Sequence, residues 1–299
     1  MAQSNKTYRL SRREAIVGYW FASPWFIGLI VFVLFPIFSS LKYSFMDYDI
    51  LQPPKWVGFA NYKALFHDML FWRSLYNTLY YVIFSVPLTI VIGLAIALLL
   101  NAEIKGIALY RTMYYIPSIV PVVAASILWA WIFDPNYGIL TNVVHFFGLP
   151  APGWLSDPFW AKNSLILMSL WGAGSGMIIY LAGLKSIPKV YYEAAEIDGA
   201  GTIQKFFKVT LPLLSPTLFF QMIIGMIGSF QVFTQSFIIT GGGPNDSTLF
   251  YVLYLYNNAF RFWKMGYASA LAWVLFVIIM FLTWISFKLS KRWVNYDQL

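Results

Sequence analysis

The sequence contains no cysteine, so disulfides, thiolate nucleophiles and iron–sulfur ligation are excluded. Charge is scarce too: Asp, Glu, Lys and Arg make up 11% of the 299 residues, against about a quarter in soluble domains. With 60% hydrophobic residues, such a chain cannot cover a water-facing surface, and its composition is that of a membrane protein. Histidine is nearly absent. His67 and His145 stand far apart with no neighbouring metal-ligand pattern, and both read as solvated loop residues. No G-x-x-x-x-G-K-[ST] loop occurs, which argues against ATP hydrolysis by this chain. No basic-aromatic module is present either, so nucleic acid is not an expected partner.

Long apolar runs are what the chain has in quantity. Six lack every Asp, Glu, Lys, Arg and His: 15–41, 74–100, 112–133, 163–184, 209–240 and 265–287. Each meets the length of about 20 residues that a helix needs to cross the hydrocarbon core. None alternates polar with apolar residues as barrel strands do. The expected fold is all-α, a single transmembrane domain over 15–287 with six membrane helices, a tail at 1–14 and another at 288–299. The first run follows Lys6, Arg9, Arg12 and Arg13, but it is too long for the core of a cleaved signal and is expected to be retained. The lack of intramembrane acids or histidines counts against a proton-coupled carrier acting alone and against a membrane protease.

The net charge of +8 has a direction. With the N-terminus inside, thirteen Lys and Arg fall on the inner side and seven on the outer, which places both termini in the cytoplasm of a multi-pass cell-membrane protein. Topology and anionic headgroups account for the basic excess. Outer loops carry turn residues, among them Pro53-Pro54, Asp134-Pro135-Asn136 and Gly241-Gly242-Gly243-Pro244. Most tryptophans near the run ends read as an interfacial belt.

The inner loop 185–208 departs from this economy of charge. Glu193 to Pro212 reads EAAEIDGAGTIQKFFKVTLP, a charged helix-turn-helix pattern between two apolar runs. Ala194 and Ala195 are small enough for a short helix to lie close in a partner's groove. Glu193 and Asp198 can accept charge-assisted hydrogen bonds from a partner arginine. Gly199, followed by Ala200, reads as a flexible joint. Pro212, after Leu211, suits the start of the next helix.

Glu193-Ala194-Ala195, three residues, Gly199, nine residues and Val209-Thr210-Leu211-Pro212 resemble the EAA motif of permease subunits of binding-protein-dependent ABC importers, with Val209 in place of Ile. Phe59-Ala60-Asn61-Tyr62, Ser74-Leu75-Tyr76-Asn77-Thr78, Thr240 to Pro244 with Ser247-Thr248, and Gly266-Tyr267-Ala268-Ser269-Ala270 are similar to the MalF-type carbohydrate permeases. The maltose permease's extra N-terminal spans and large outer domain are not matched, so the resemblance is to six-span members. It implies a MetI-like fold whose coupling helix sits in an ATPase cleft. The implied partners are a second permease, two ABC ATPases that hold ATP and Mg, and an extracytoplasmic solute-binding protein. This chain itself would bind no cofactor or metal and catalyse nothing.

For the substrate path, Gln221, Gly225, Gly228, Val232 and Gln235 recur at spacings that put them on one face of a helix, with Ser229 at its margin. Neutral amides suit sugar hydroxyls. Trp171, Gly172 and Ser175 in the fourth run combine a ring for stacking on a sugar with glycine for unwinding or close approach. Both regions correspond to the family's sugar-lining spans. No Lys or Arg occurs there, which favours a neutral sugar or oligosaccharide over glycerol phosphate. An ion-coupled carrier is the alternative from another class.

Overall fold

The computed structural model describes residues 12–102 and 105–295. Lys6 and Arg9 of the basic leader, the side chains of Arg12 and Arg13, and the last four residues of the C-terminal tail lie outside the described residues. The chain opens with α1 (Arg12–Gly28), a π-helical segment (Leu29–Leu34) and α2 (Phe35–Ser44), a continuous rod, then a two-residue hairpin of β1 (Met46–Asp47) and β2 (Lys55–Trp56). Next come α3 (Ala60–His67) and the 32-residue α4 (Met69–Leu100). α5 (Ile107–Ile119) with α6 (Val122–Ile132), and α8 (Pro158–Trp171) with α9 (Gly174–Ser186), form two bent pairs separated by the short α7 (Ile139–Phe146). α10 (Lys189–Ile197) stands alone. α11 (Thr202–Lys205), a π-helical segment (Phe206–Thr210) and α12 (Leu211–Phe230) form a second rod, followed by α13 (Tyr251–Tyr256) and α14 (Met265–Ser290).

Among the described residues, four helices or rods are long and apolar enough to cross a membrane, and taking each bent pair as one span makes six. The third run, 112–133, is therefore not one straight helix: α5 and α6 meet at 96°. Val120 is forced into extended backbone ahead of Pro121, which is itself extended, and α6 starts afresh behind it. The fourth run bends by 47° at Gly172-Ala173. A Cβ on Gly174 would overlap the Tyr114 carbonyl, so α9 crosses α5 at backbone contact. The fifth run ends its helix early, at Phe230, and resumes as a π-helical turn over Ser236–Thr240.

Two other prolines leave their rods continuous. The N–H of Phe35 bonds to Ile30 and that of Leu211 to Phe206, five residues back, one position before Pro36 and Pro212. A π turn widens the ladder where the next residue has no N–H to continue it.

α4 is the central helix, packed against α8, α9, α12 and α13. Its buried face mixes large apolar residues with Ser74, Thr78, Ser85, Gly93 and Ala97, the small residues that let helices approach where water supplies no hydrophobic force. At Gly93 the Ala173 carbonyl and the Tyr180 ring come within 3.0 Å of where a Cβ would be. By contrast, not one residue in the most apolar stretch of the first rod is buried.

The short motifs around α4 stitch together the end of the bundle where that helix begins. Asn61 donates to the Ser44 and Met46 carbonyls, both at 2.9 Å, and the Tyr62 hydroxyl donates to Ser44 Oγ at 2.8 Å. Asn77 donates to the carbonyls of Asp246 and Leu249, while Thr78 Oγ1 accepts from the Tyr251 N–H. Thr248 donates to the Gly243 carbonyl at 2.7 Å. A Cβ on Gly266 would overlap the Met46 carbonyl, and the Gly266 N–H bonds Tyr48 at 3.0 Å. Asp68 joins these stitches. It caps α4 through the Leu70 N–H at 2.9 Å and accepts from the hydroxyls of Tyr254 and Tyr267. Burial alone would raise its carboxyl pKa, but the two tyrosine hydroxyls and the N–H groups of Leu70 and Phe71 outweigh it and hold it below the ordinary value.

Asp68→Asn, which keeps a helix cap but loses the charged acceptor, is expected to cost about 1 kcal/mol, and Asp68→Ala, which loses both, about 2–3 kcal/mol, read by thermal unfolding in detergent. Because the folded pKa is depressed, this stabilisation is present above the ordinary carboxylate range and is lost as pH falls through the lowered value. The acid sensitivity of wild type should exceed that of Asp68→Asn.

Candidate functional site

Two adjoining cavities lie between α4, α8, α9 and α12. The smaller, about 180 Å³, is bounded by Thr89 of α4, Ser175, Gly176 and Tyr180 of α9, and Gln221, Gly225 and Ser229 of α12. The larger, about 410 Å³, shares Thr89, Gly225 and Ser229 and adds Tyr81, Ser85, Val122, Ser169, Gly228 and the segment Gln231 to Gln235. Among the described residues, no charged side chain lines either one. Hydroxyls and amides supply the polarity, with Ser85 Oγ 3.4 Å from Ser229 Oγ.

The broken spans converge here. Val122 opens α6 just past the Pro121 break, Ala173 and Ser175 follow the Gly172 bend, and Gln231 to Gln235 are the interruption after α12. Bonds of the i to i−3 type keep the backbone paired across two of these breaks: Gly172 to Ser169 at 3.2 Å, Ala173 to Leu170 at 3.0 Å, and Gln231 to Gly228 at 3.1 Å. Irregular backbone at membrane depth is tolerated where it is covered by protein or lines a polar cavity, and these breaks have such cover.

Among the residues the spacing singled out, Ser175, Gln221, Gly225, Gly228, Ser229, Val232 and Gln235 line these cavities. Val232 and Gln235 do so from beyond the end of α12, not from its face. Gly176 is where Gln221 fits, since a Cβ there would stand 2.7 Å from the amide nitrogen. Trp171 and Gly172 line neither cavity. The Trp171 ring meets Trp129 edge-on at 6.2 Å in a cluster with Ala125, Phe133, Trp154 and Met168, and Gly172 is the bend itself. Tyr81, Ser85 and Thr89, spaced by four along α4, escaped the sequence reading, although that stripe of hydroxyls in an apolar run was the available signal.

At the opposite end of the bundle, α10 carries Glu193, Ala194 and Ala195, and none of its residues is buried. It ends at Asp198 in a Schellman cap: the Gly199 N–H bonds Glu196 at 3.0 Å and the Ala200 N–H bonds Ala195 at 2.8 Å. Gly199 has φ +76° with open space around it, so glycine is required by left-handed backbone and the joint is a fixed turn. Glu196 pairs with Lys205 at 2.7 Å, and the Tyr192 hydroxyl lies 3.0 Å from Thr210 Oγ1, tying α10 to the base of the second rod. Leu211 and Pro212 are half-buried in that rod, where Leu211 packs on the Leu94 and Leu184 cluster. Ile197 and Ile203, 87% and 74% exposed, extend the apolar part of the turn and were not among the residues singled out.

Comparison with known proteins agrees with this geometry. The chain is 45% identical to the probable ABC transporter permease protein YesP of Bacillus subtilis (strain 168), across 99% of this chain and 97% of that one. It is 35% identical to the lactose transport system permease protein LacF of Rhizobium radiobacter, across 95% and 97%. Its fold matches a chain in the crystal structure of a bacterial ABC transporter involved in the import of the acidic polysaccharide alginate, with a TM-score of 0.81 at 24% identity over 95% and 98%. Residues 89–295, from the hydroxyl stripe of α4 through the α10 turn to the last described residue, match the binding-protein-dependent transport system inner membrane component family, and the chain belongs to that family of multi-pass permease subunits.

Proposed function

We propose that this chain forms one half of the pathway for a neutral sugar or oligosaccharide in an ATP-driven importer, and that α10 is where an ATPase subunit drives it. The observation that carries this reading is the uncharged cavity of hydroxyls and amides whose two walls, α9 and α12, both lead to the exposed α10 turn. Neutral donors and acceptors match sugar hydroxyls, and a phosphorylated solute would want a cation that the lining lacks. The lactose permease among its relatives fits the same chemistry.

In this reading the end carrying α10 is cytoplasmic and both termini are on that side, the orientation that the thirteen-to-seven split of Lys and Arg favours. ATP and Mg belong to two partner ATPases, and this chain is non-catalytic. A second permease completes the pathway and covers apolar surface such as Trp20, Phe21 and Phe32 of the first rod, 73%, 85% and 77% exposed. An extracytoplasmic binding protein delivers the sugar to the other end. When the ATPases close, displacement of α10 moves α9 through Ile187-Pro188. It moves α12 through the Glu196–Lys205 and Tyr192–Thr210 links. Both cavity walls shift together, because small residues pack them directly on α4.

Glu193→Lys is expected to weaken ATPase attachment by roughly thirtyfold or more, as loss of a hydrogen-bonded charge at an interface does. Gly199→Val strains the left-handed turn and should uncouple ATP hydrolysis from uptake. Both variants should insert normally, and normal uptake by both would overturn the reading. Gln221→Leu is expected to raise the KM for sugar uptake about fivefold to tenfold with basal ATPase unchanged, since one neutral hydrogen bond is lost. Uptake competition with unlabelled neutral sugars and glycerol phosphate checks the substrate class: competition by glycerol phosphate alone would replace the sugar assignment.

A further inference from the structure

A third cavity, about 730 Å³, opens at the α10 end of the bundle where α4 and α9 end and α5 begins. Four cations line it: Lys105, Arg111, Lys185 and Lys189. Among the described residues the two ion pairs are Arg73 with Asp246 and Lys205 with Glu196, so none of these four is neutralised by an acid. Glu103, in the same loop, lies outside the described residues, and with it counted the cluster still has a net positive charge. Arg111 donates through one terminal nitrogen to the Leu100 carbonyl at 2.8 Å, while its Nε is buried with no partner. The positive end of the α5 dipole, at Ile107, adds to the same field. An anion between these four cations is attracted by each of them.

The surroundings say which anion. Ile107 and Leu184 give the cavity an apolar side. The cavity sits at the ends of the membrane helices α4 and α9, so its cations lie at headgroup depth. We propose that this pocket binds the phosphate headgroup of one anionic phospholipid, with Lys105, Lys185 and Lys189 on the phosphate, Arg111 beneath it, and the acyl chains leaving by the apolar side at Ile107 and Leu184. The lipid then bridges the α4–α5 turn and the start of α10, so its occupancy biases the position of the coupling segment. The site holds whichever solute is carried, and its failure would leave the sugar pathway untouched.

The test uses the assembled transporter in nanodiscs of mixed phosphatidylglycerol and phosphatidylcholine, with lipid retained after a detergent wash read by native mass spectrometry. Wild type should retain phosphatidylglycerol over phosphatidylcholine. Lys105→Gln with Lys185→Gln should weaken that retention roughly thirtyfold, and Lys105→Arg with Lys185→Arg should restore it. Arg111 is left intact because it holds the end of α4. Unchanged retention in the glutamine variant overturns the proposal. So does displacement of the lipid by inorganic phosphate, which assigns a small-anion site. Loss of the ATPase from the glutamine variant with lipid retention unchanged also overturns it, and assigns the cluster to the protein partner.

Discussion

Every backbone N–H and C=O inside a bilayer must be bonded within the protein, and the architecture follows from where this chain meets that demand without a regular helix. Three of six spans are interrupted, at Val120-Pro121, at Gly172-Ala173 and after Phe230. Each interruption is tolerable because the others face it across the same cavities, and tight i to i−3 bonds close two of the gaps. The polar pathway and the irregular backbone thus have one cause. A cavity lined by Ser, Thr, Tyr and Gln gives broken helices polar cover, and broken helices give a solute access to the middle of the membrane.

Proline has more than one outcome in this fold, and Pro87 and Pro216 simply lie inside α4 and α12. At Pro36 and Pro212 a preceding π turn absorbs the missing N–H and the rod continues, which suits elements that must carry force or span the bilayer unaided. At Pro121 the preceding residue turns extended and the helix starts again at nearly a right angle. The second rod runs unbroken from the α10 turn to the cavity.

Some of the site was legible. The Glu193 to Pro212 segment stood out because charge is conspicuous in an apolar chain, and the amide and glycine positions of the fifth run all fall on the cavities. Trp171 was misleading for a physical reason: a tryptophan beside glycines suits a sugar face and a packed bend equally, and the neighbouring Trp129 decides it. Gly199 suggested flexibility where the backbone needed a positive φ. The hydroxyls of α4 were overlooked because serine and threonine satisfy themselves on the preceding turn in any membrane helix, so their spacing alone carries little weight. Asn61, Asn77, Thr78 and Gly266 were readable as family signatures, but their role as stitches between distant segments depends on contacts between residues as remote as Met46 and Gly266.

The sequence by itself determined that this is a helical membrane protein with six apolar runs, and where along the chain a charged segment separates two of them. Those properties are sums over neighbouring residues: transfer free energy accumulates along a run, and charge at a run's end is local. Tertiary structure alone decided where three spans break, which side chains face one another across the cavities, and that four lysines and arginines from α5, α9, α10 and the turn before α5 share one pocket. A helix breaks only where neighbouring elements cover the freed backbone groups. That cover comes from residues remote in the chain, which no local sum contains.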